Sequence, residues 1–423
     1  MMTDSYGMRT LALGDDEQRV VFGVEDLCRH TLVFGASGSG KTTRAYNPLL
    51  AKMLVELDAG AFVIAASSDA VRETVELARR AGKEAVVVEP GGSTGLDLLS
   101  GSPDLDAMYF RDTYGHVNAD AKQWVDAAVA RMKNALRILQ AAGNRYYTFE
   151  YLTSYCFDDK FAAMLRIQAT DRLHALPQES DEAWTIREAI AYEETRFAQF
   201  TPETRRSIQF AVSQLLEPLR DVLINKTFAR RTTLVQFEAA FGGTVIVLHV
   251  PRTRYERAAA AIYTLAKRRF FTALERRRDD PAVDQQRPIV FGVDEYERCI
   301  SESDIASLGA IRAAGCMVLA TTKSVSSIGS VMPRHQVNAA IQNFTQKIFF
   351  KTDDEETLAL LERVTRGGHG KADAATLFGM NRNQALCHLT VGDESVVAVL
   401  AMQPLFLTPP RGHLTVPDFT TDA

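Results

Sequence analysis

The chain has 423 residues, of which 46% are hydrophobic and 24% charged, and its formal net charge is -5. This composition is typical of a globular protein with one large domain or two ordinary ones. It argues against a protein that wraps duplex DNA with its whole surface, since such proteins are usually basic, and any nucleic-acid contact must therefore be confined to a local basic strip or a pore.

The first third of the chain alternates apolar and amphipathic segments, as a parallel α/β sheet does. A helix from Lys41 should bend or restart at Pro48, because proline lacks a backbone N–H. A second helix should start at an Asp69 cap and stop at Gly82. The predicted strands of this part are Val20–Gly23, Thr31–Phe34, Ala61–Ala66 and Glu84–Pro90.

From about Ser102 to Thr233 the apolar residues follow helical spacing, and no convincing strand interrupts them. One of these helices should start at a Thr201 cap with Pro202 in its first position. We therefore predict an α/β domain of residues 1–101 and 234–423, with residues 102–233 inserted as an all-helical subdomain.

The α/β pattern resumes after this insertion, with a long helix at Tyr255–Arg278 and a tail, Thr408–Ala423, that we expect to be poorly ordered. The helix carries a basic stretch, Lys267–Arg278, that either faces DNA or, as we favour, forms the solvated side of an amphipathic helix. The buried side would then hold Phe270, Phe271 and Leu274. The predicted strands here are Gly243–Val250, Arg287–Glu297, Cys316–Thr322, Gln346–Thr352 and Ser395–Met402.

One segment satisfies the pattern G-x-x-x-x-G-K-[ST] between a predicted strand and a predicted helix. Its glycines let successive backbone N–H groups point at phosphate oxygens, and the helix adds its N-terminal dipole. Lys41 should reach the β- and γ-phosphates of ATP, and the Thr42 hydroxyl should hold Mg²⁺. The predicted nucleotide-binding residues are Gly35, Ala36, Ser37, Gly38, Ser39, Gly40, Lys41, Thr42 and Thr43.

A second acidic site follows the apolar strand that ends in Asp294 and Glu295. Asp294 stands where an acidic residue holds Mg²⁺, and Glu295 is placed to deprotonate the attacking water. The alternative is a strand that simply reaches solvent. Hydrolysis, as opposed to nucleotide binding, depends mainly on Glu295.

The order of these motifs resembles the coupling ATPases of conjugation and type IV secretion, the TraG/TraD-like family within the FtsK–HerA class of ring translocases. The resemblance runs from about Gly14 to Leu407 and is carried by RHTLVFGASGSGKTT, NPLLAKML, VDEYE, AIRAAGCMVLATTKSVSSI and IQNFTQKIFFKTDDEETLALLERVTRG. It implies a RecA-like P-loop NTPase sheet with an inserted all-α subdomain. It also implies ATP and Mg²⁺ as ligands, a homo-hexameric ring and DNA as cargo.

The resemblance makes Arg312 the residue that approaches the γ-phosphate of a neighbouring subunit, although an exposed arginine paired with a surface acid is equally compatible. The family's sensor glutamine corresponds to Thr322 or Lys323, and a lysine cannot accept a hydrogen bond. The loop after the second strand of the motor also departs from the family. AASSDA stands there in place of the usual Asp-Pro-Lys-Gly.

The sequence shows no transmembrane segment, since apolar runs such as Ala61–Ala66 fall short of the about 18 to 20 residues required. It also lacks the apolar core of a secretory signal. The five cysteines form neither a metal pattern nor a disulfide framework, which favours the cytoplasm. The family's membrane-bound members begin with transmembrane helices, so we expect a variant without that anchor, with recruitment to the membrane by a partner left open. His30, His249 and His388 are expected to be structural.

These observations favour an ATP-driven DNA translocase or coupling ATPase in which Lys41, Glu295 and Arg312 are catalytic and Thr42 and Asp294 hold Mg²⁺. One alternative is a receptor ATPase that engages protein substrates of a secretion system. Another is a nucleotide-gated assembly platform in a defence or mobile-element complex, which Lys323 in place of glutamine would suit. Secretion or mobile-element proteins are then its partners.

Overall fold

The computed structural model describes residues 9–15, 18–115, 119–228, 234–280, 285–366 and 373–405. The predicted disorder of Thr408–Ala423 lies outside these residues. The strands are β1 Thr10–Gly14, β2 Arg19–Gly23, β3 Thr31–Phe34, β4 Gly60–Ile64, β5 Ala85–Val88, β6 Gly95–Leu96, β7 Leu234–Val235, β8 Val245–Leu248, β9 Ile289–Val293, β10 Cys316–Thr322, β11 Gln346–Phe349, β12 Gln384–Val391 and β13 Glu394–Ala401.

Helices precede, follow and connect these strands. They are α1 Val24–Leu27, α2 Asn47–Val55, α3 Ser68–Arg80, α4 Pro103–Thr113, α5 Ala119–Ala142, α6 Phe149–Phe157, α7 Asp159–His174, α8 Asp181–Ala191, α9 Pro202–Leu216, α10 Val222–Phe228, α11 Arg252–Asp279, α12 Asp304–Ala313, α13 Val325–Gly329, α14 Arg334–Gln342, α15 Glu355–Thr365 and α16 Ala374–Gly379.

A nine-stranded sheet in the order β13-β12-β11-β3-β10-β9-β4-β8-β5 forms the centre of the molecule. The seven strands from β11 to β5 are mutually parallel. β12 is antiparallel to both of its neighbours. Helices cover both faces, which is why β3, β4, β8, β9 and β10 are buried along their whole length. This α/β sheet confirms the predicted fold class.

Side chains alternate between two apolar cores, one on each face of the sheet. Phe62 and Ile64 of β4 join the larger core, whereas Ala61 and Val63 join the smaller one. The larger core continues without interruption into the helices between β6 and β7, where it includes Leu136 and other residues of α5. The helical region and the sheet therefore share one apolar interior.

The inserted region consists, over its described residues, of α4 to α10 and shorter helical turns, and it begins and ends beside the parallel pair β6 and β7. α9 starts as predicted, since the Thr201 side chain accepts a hydrogen bond from the Thr204 N–H and Pro202 opens the helix. The division of the chain at residues 102 and 233 stays a prediction.

The structure of the long helix α11 differs from the prediction that its basic stretch, Lys267–Arg278, is a solvated face. Phe270, Phe271 and Leu274 are buried as expected, but Lys267 and Arg277 are also buried, at 0% and 2% exposure. Lys267 Nζ lies 2.5 Å from Asp304 Oδ1 of α12, inside the protein. Lys267 and Arg277 therefore face neither DNA nor solvent, because both bind groups outside the helix. Arg276 and Arg278, at the end of the stretch, are exposed.

Two further differences concern the cap of α3 and the number of strands. The cap of α3 lies two residues earlier than predicted, since the Ser67 side chain, and not that of Asp69, accepts a hydrogen bond from the Ala70 N–H. Gly82 follows the helix with a positive φ of 67°, as a helix stop requires. The sequence prediction lacks four strands, β1, β6, β7 and β12.

Candidate nucleotide site

The predicted motifs meet at one edge of the sheet. β3 ends at Phe34 and leads into the glycine-rich loop, and β9 ends at Val293 immediately before Asp294. β10 lies between these two strands and brings Thr321 to the same edge. All three strands are parallel, so their carboxyl ends create a single crevice, which is where open α/β sheets bind ligands.

The loop after β3 adopts a conformation that depends on glycine. Gly35, Gly38 and Gly40 have φ angles of 155°, 76° and 99°. A Cβ atom on Gly35 would lie 2.8 Å from Phe350 Cβ, so the close approach of the loop to the segment after β11 excludes a side chain there. The hydroxyl of Ser39 is buried without a hydrogen-bond partner in the described part of the chain. A curled loop with an unused polar group suits the phosphates of a nucleotide.

Lys41 folds back over this loop. Its Nζ donates hydrogen bonds to the carbonyl oxygens of Gly35 (2.6 Å) and Ala36 (3.0 Å). Burial lowers the pKa of Lys41, and the nearby charges of Asp294, Glu297 and Glu295 only partly oppose this shift. The ammonium therefore lies where anionic phosphate oxygens would gain most from it.

The helix that follows the loop begins as a π-helical turn, Thr42–Tyr46, before α2 starts with Pro48 in its first turn. In this turn the Asn47 N–H donates to the Thr42 carbonyl. The Thr43 carbonyl would next accept from residue 48, but proline has no N–H to donate. Instead the Thr43 carbonyl accepts a hydrogen bond from the Leu405 N–H at 2.8 Å. This bond attaches the segment after β13 to the helix. Pro48 thus restarts the helix, as the sequence predicts.

Asp294 is held between two threonine hydroxyls. The Thr42 Oγ1 lies 3.4 Å from Asp294 Oδ2, and Thr321 Oγ1 donates to Asp294 Oδ1 at 2.5 Å. A hydroxyl and a carboxylate at this separation fit the oxygen ligands that Mg²⁺ prefers. The structure therefore brings together the two residues that the sequence assigns to Mg²⁺. Thr321 was not predicted, because its position becomes meaningful only when β10 lies beside β9.

Glu295 follows in a left-handed conformation, with φ 64°, that is uncommon outside glycine. Its N–H donates to Thr321 Oγ1 at 3.0 Å, which fixes the turn. Its carboxylate receives Arg298 Nε at 2.5 Å and lies 3.4 Å from Lys323 Nζ. Burial raises the pKa of Glu295, but Arg298 and Lys323 together outweigh burial and hold that pKa below its ordinary value.

Two residues that the sequence left unassigned also line this crevice. Burial raises the pKa of Glu297, whose charge acts on Lys41, and Glu297 Oε2 is buried without a partner among the described residues. Arg298 donates to the Ala66 carbonyl at 3.2 Å as well as to Glu295, and so connects the turn after β9 with the loop after β4. The effect of Glu297 on Lys41 joins segments that are distant in the sequence and has no local signal, whereas Arg298 and Glu295 are only three residues apart.

The two candidates for the sensor position differ in their surroundings, and the sensor role itself stays a prediction. Thr322 is fully buried, and its hydroxyl donates to the Ser324 carbonyl at 3.2 Å. The Lys323 side chain remains 47% exposed and reaches Glu295.

Arg312 lies elsewhere in the protomer. It is exposed in the last turn of α12, and its charge acts on His30 and Cys28. His30 directly precedes β3, so this region is at the amino ends of the strands, opposite the glycine-rich loop. The structure does not bring Arg312 to the Lys41 site of the same chain.

The three histidines make structural contacts. His30 Nε2 contacts the Leu308 carbonyl at 2.9 Å and its Nδ1 accepts from the Val318 N–H at 3.2 Å. His249 contacts the Ala65 carbonyl, and His388 contacts the Ser395 hydroxyl. No cluster of three or more His, Cys, Asp or Glu side chains suited to a metal occurs in the described residues. Nor does a helix in those residues combine the length and apolarity of a membrane span.

No protein-family model and no curated protein matches the sequence. Solved structures do match. The unbound conjugative coupling protein TrwBdeltaN70 is 13% identical, with a TM-score of 0.64 over 91% of this chain and 86% of that one. The complex of TrwB with the ATP analogue ADPNP is 15% identical, with a TM-score of 0.59 over 90% and 87%. VirB4 of Thermoanaerobacter pseudethanolicus is 15% identical, with a TM-score of 0.58 over 93% and 96%.

At these identities the likeness concerns the fold. It extends through the sheet and the inserted helices alike, because about nine-tenths of the chain is covered in each comparison. The chain therefore has the RecA-like P-loop fold shared by TrwB and VirB4, which confirms at the level of the fold its resemblance to the coupling ATPases of conjugation and type IV secretion.

Proposed function

We propose that the protein is an ATP-hydrolysing motor that couples or translocates DNA and acts as a homo-hexameric ring with ATP between subunits. The observation that carries this proposal is the meeting of Lys41, Thr42, Asp294 and Glu295 at one edge of a TrwB-like sheet. TrwB itself has been solved with ADPNP, and with ADP and Mg²⁺.

The first step is nucleotide binding at Gly35–Thr43. The backbone N–H groups of the loop bind the phosphates, and Lys41 leaves the Gly35 and Ala36 carbonyls to pair with them. Thr42 and Asp294 would hold Mg²⁺, which supplies charge neutralisation at the phosphates. The Thr321 hydroxyl keeps the Asp294 carboxylate oriented during this step.

The second step is activation of water by Glu295, whose carboxylate would accept the proton at one oxygen. Arg312 would act on the site of the neighbouring subunit, where its charge stabilises the transition state. Its exposure at the opposite edge of the sheet supports a role between subunits and leaves the site of its own chain without it.

Residues 1–101 and 234–423 form the proposed motor domain, and residues 102–233 form a helical subdomain that would recognise cargo or a partner at one mouth of the ring. A net charge of -5 is compatible with DNA as cargo, since only the channel of a ring needs to be basic.

Two substitutions test hydrolysis. Glu295→Gln should keep ATP binding and lower turnover by at least about a hundredfold, because the proton acceptor is lost. Lys41→Ala should lose both binding and turnover. Fluorescent-nucleotide titration and phosphate release measure the two quantities. Wild-type turnover in Glu295→Gln would refute the assignment of the base.

The nature of the cargo is tested separately. Single- and double-stranded DNA should bind at low salt and stimulate ATP turnover, with affinity falling as salt rises. If DNA does neither and a protein partner stimulates turnover, the receptor ATPase is the better description. ATP-dependent oligomerisation without stimulated turnover would instead favour the assembly platform, for which the contact of Lys323 with Glu295 is the supporting observation.

A further inference from the structure

Both oxygens of the Glu295 carboxylate have a cation beside them in this structure. Arg298 binds one oxygen, Oε2, through both Nε and Nη2. Lys323 Nζ lies 3.4 Å from the other oxygen, Oε1. A group that is to take a proton from water needs an oxygen free to accept that water's hydrogen bond. Each cation contact therefore competes with the attacking water for the Glu295 carboxylate.

Arg298 is the stronger of the two restraints. Its side chain is only 15% exposed and that of Glu295 24%, whereas Lys323 is 47% exposed. A pair that is partly withdrawn from water is screened less than an exposed one. Arg298 is also anchored at a second point, since its Nη1 donates to the Ala66 carbonyl of the neighbouring loop.

The backbone of Glu295 is fixed, which limits how its carboxylate can separate from Arg298. The left-handed φ of 64° is fixed by the hydrogen bond from the Glu295 N–H to Thr321 Oγ1. Because the main chain is held, the carboxylate can leave Arg298 only by rotation of its own side chain. Such a strained, over-determined turn at a reactive group indicates a functional constraint.

We propose that Arg298 is a positioning residue that withholds Glu295 from the attacking water, with Lys323 as a weaker second restraint, so that basal ATP turnover is held down until this contact opens. The inference rests on the proposed ATPase function. Turnover is then limited by the fraction of molecules in which Glu295 is free, while ATP binding at Gly35–Thr43 does not depend on that fraction.

The test compares Arg298→Gln, Arg298→Lys and Lys323→Gln with the wild type. Basal kcat at saturating ATP should rise about tenfold in Arg298→Gln, by less in Arg298→Lys and least in Lys323→Gln. KM and the affinity for a fluorescent ATP analogue should change by less than about twofold, since the phosphate loop is untouched. Arg334→Gln removes an exposed arginine that pairs with Glu356 at 2.8 Å and should leave kcat unchanged.

The double variant Arg298→Gln/Glu295→Gln shows whether the gain passes through Glu295, and it should be inactive. An unchanged or lower kcat in a folded, ATP-binding Arg298→Gln protein would overturn the inference, as would a gain that persists without Glu295. If Arg298→Gln does not fold, the Arg298→Lys and Lys323→Gln results decide by the same criteria. Absence of ATP binding in the wild type and in every variant would refute the proposed function instead.

Discussion

At the scale of single residues, His30 shows how burial fixes a protonation state. It is 1% exposed, and both ring nitrogens have backbone partners in α12 and β10. Burial lowers the pKa of His30 to about 4, the Leu308 carbonyl opposes this, and the charge of Arg312 adds to it. The ring is therefore neutral at physiological pH, with one nitrogen donating and the other accepting.

We expect this histidine to make the folded state sensitive to acid. The unfolded chain binds a proton near pH 6.5 and the folded chain only near pH 4, so stability should fall as pH drops from about 6.5 to about 4. The free energy of unfolding should fall by about 3 kcal/mol at most over this pH range. Denaturant unfolding of the wild type and of His30→Asn at pH 7 and pH 5 measures it.

The variant should be less stable at pH 7 but should lose less stability between the two pH values. Substitution of the exposed His174 serves as the matched control and should leave the wild-type pH dependence intact. An equal loss in the wild type and in His30→Asn would assign the acid sensitivity to other groups.

At the scale of elements, α11 and α12 are joined by a buried polar network. Lys267 Nζ lies 2.5 and 2.6 Å from the two oxygens of Asp304, and it also donates to the Ser301 hydroxyl. The Tyr296 hydroxyl donates to Asp304 Oδ2 at 2.6 Å. Because every charged group has partners, the network fixes the position of the turn after β9 against the two helices.

Removing one charge from this network should be severe. Asp304→Asn leaves the ammonium of Lys267 buried without its counter-charge, and we expect it to lower the free energy of unfolding by about 3 to 5 kcal/mol. Urea denaturation measures the change. Glu256→Gln, in the exposed pair with Arg252, should change stability by less than about 1 kcal/mol. A small effect of Asp304→Asn would mean that water reaches the pair.

The elements also show what the sequence could predict. The glycine-rich loop, the Thr201 cap and the buried strands have local signals, since the residue types and their spacing set the backbone conformation. The role of Lys267 has none, because its partner Asp304 comes from another helix. Arg298 pairs with Glu295 only three residues away, but its second contact, with the Ala66 carbonyl, comes from another loop. Strand β12 went unpredicted because Ala385, Leu386 and Cys387 are buried in succession, and a short apolar run does not distinguish a strand from a buried helix segment.

At the scale of the whole molecule, the position of Arg312 distinguishes a ring, in which it acts on a neighbouring subunit, from a protein in which it is only a surface arginine. An exposed arginine at the edge opposite the phosphate loop can reach a nucleotide only from another subunit. In a ring, Arg312→Ala should therefore bind ATP normally and lose most of its turnover, by about a hundredfold or more.

Mixing two inactive variants distinguishes action on a neighbouring subunit from the role of a surface arginine. Lys41→Ala cannot bind ATP but retains Arg312, so adding it to Arg312→Ala should restore part of the turnover by completing mixed interfaces. Phosphate release over a range of mixing ratios measures the recovery. Unimpaired turnover of Arg312→Ala, or a mixture without recovery, would contradict action across an interface.

The path of α11 through the shared core has a mechanical consequence. Tyr109 and Asp112 of α4 contact Thr272 and Arg268 on one part of this helix, while Lys267 binds α12. A close-packed interior transmits displacement and does not absorb it. A displacement of the inserted helices would therefore reach α12. Asp304 of α12 accepts a hydrogen bond from the hydroxyl of Tyr296, the residue next to Glu295. Helix α11 thus links the inserted helices to α12 and, through Asp304 and Tyr296, to the turn that carries Glu295.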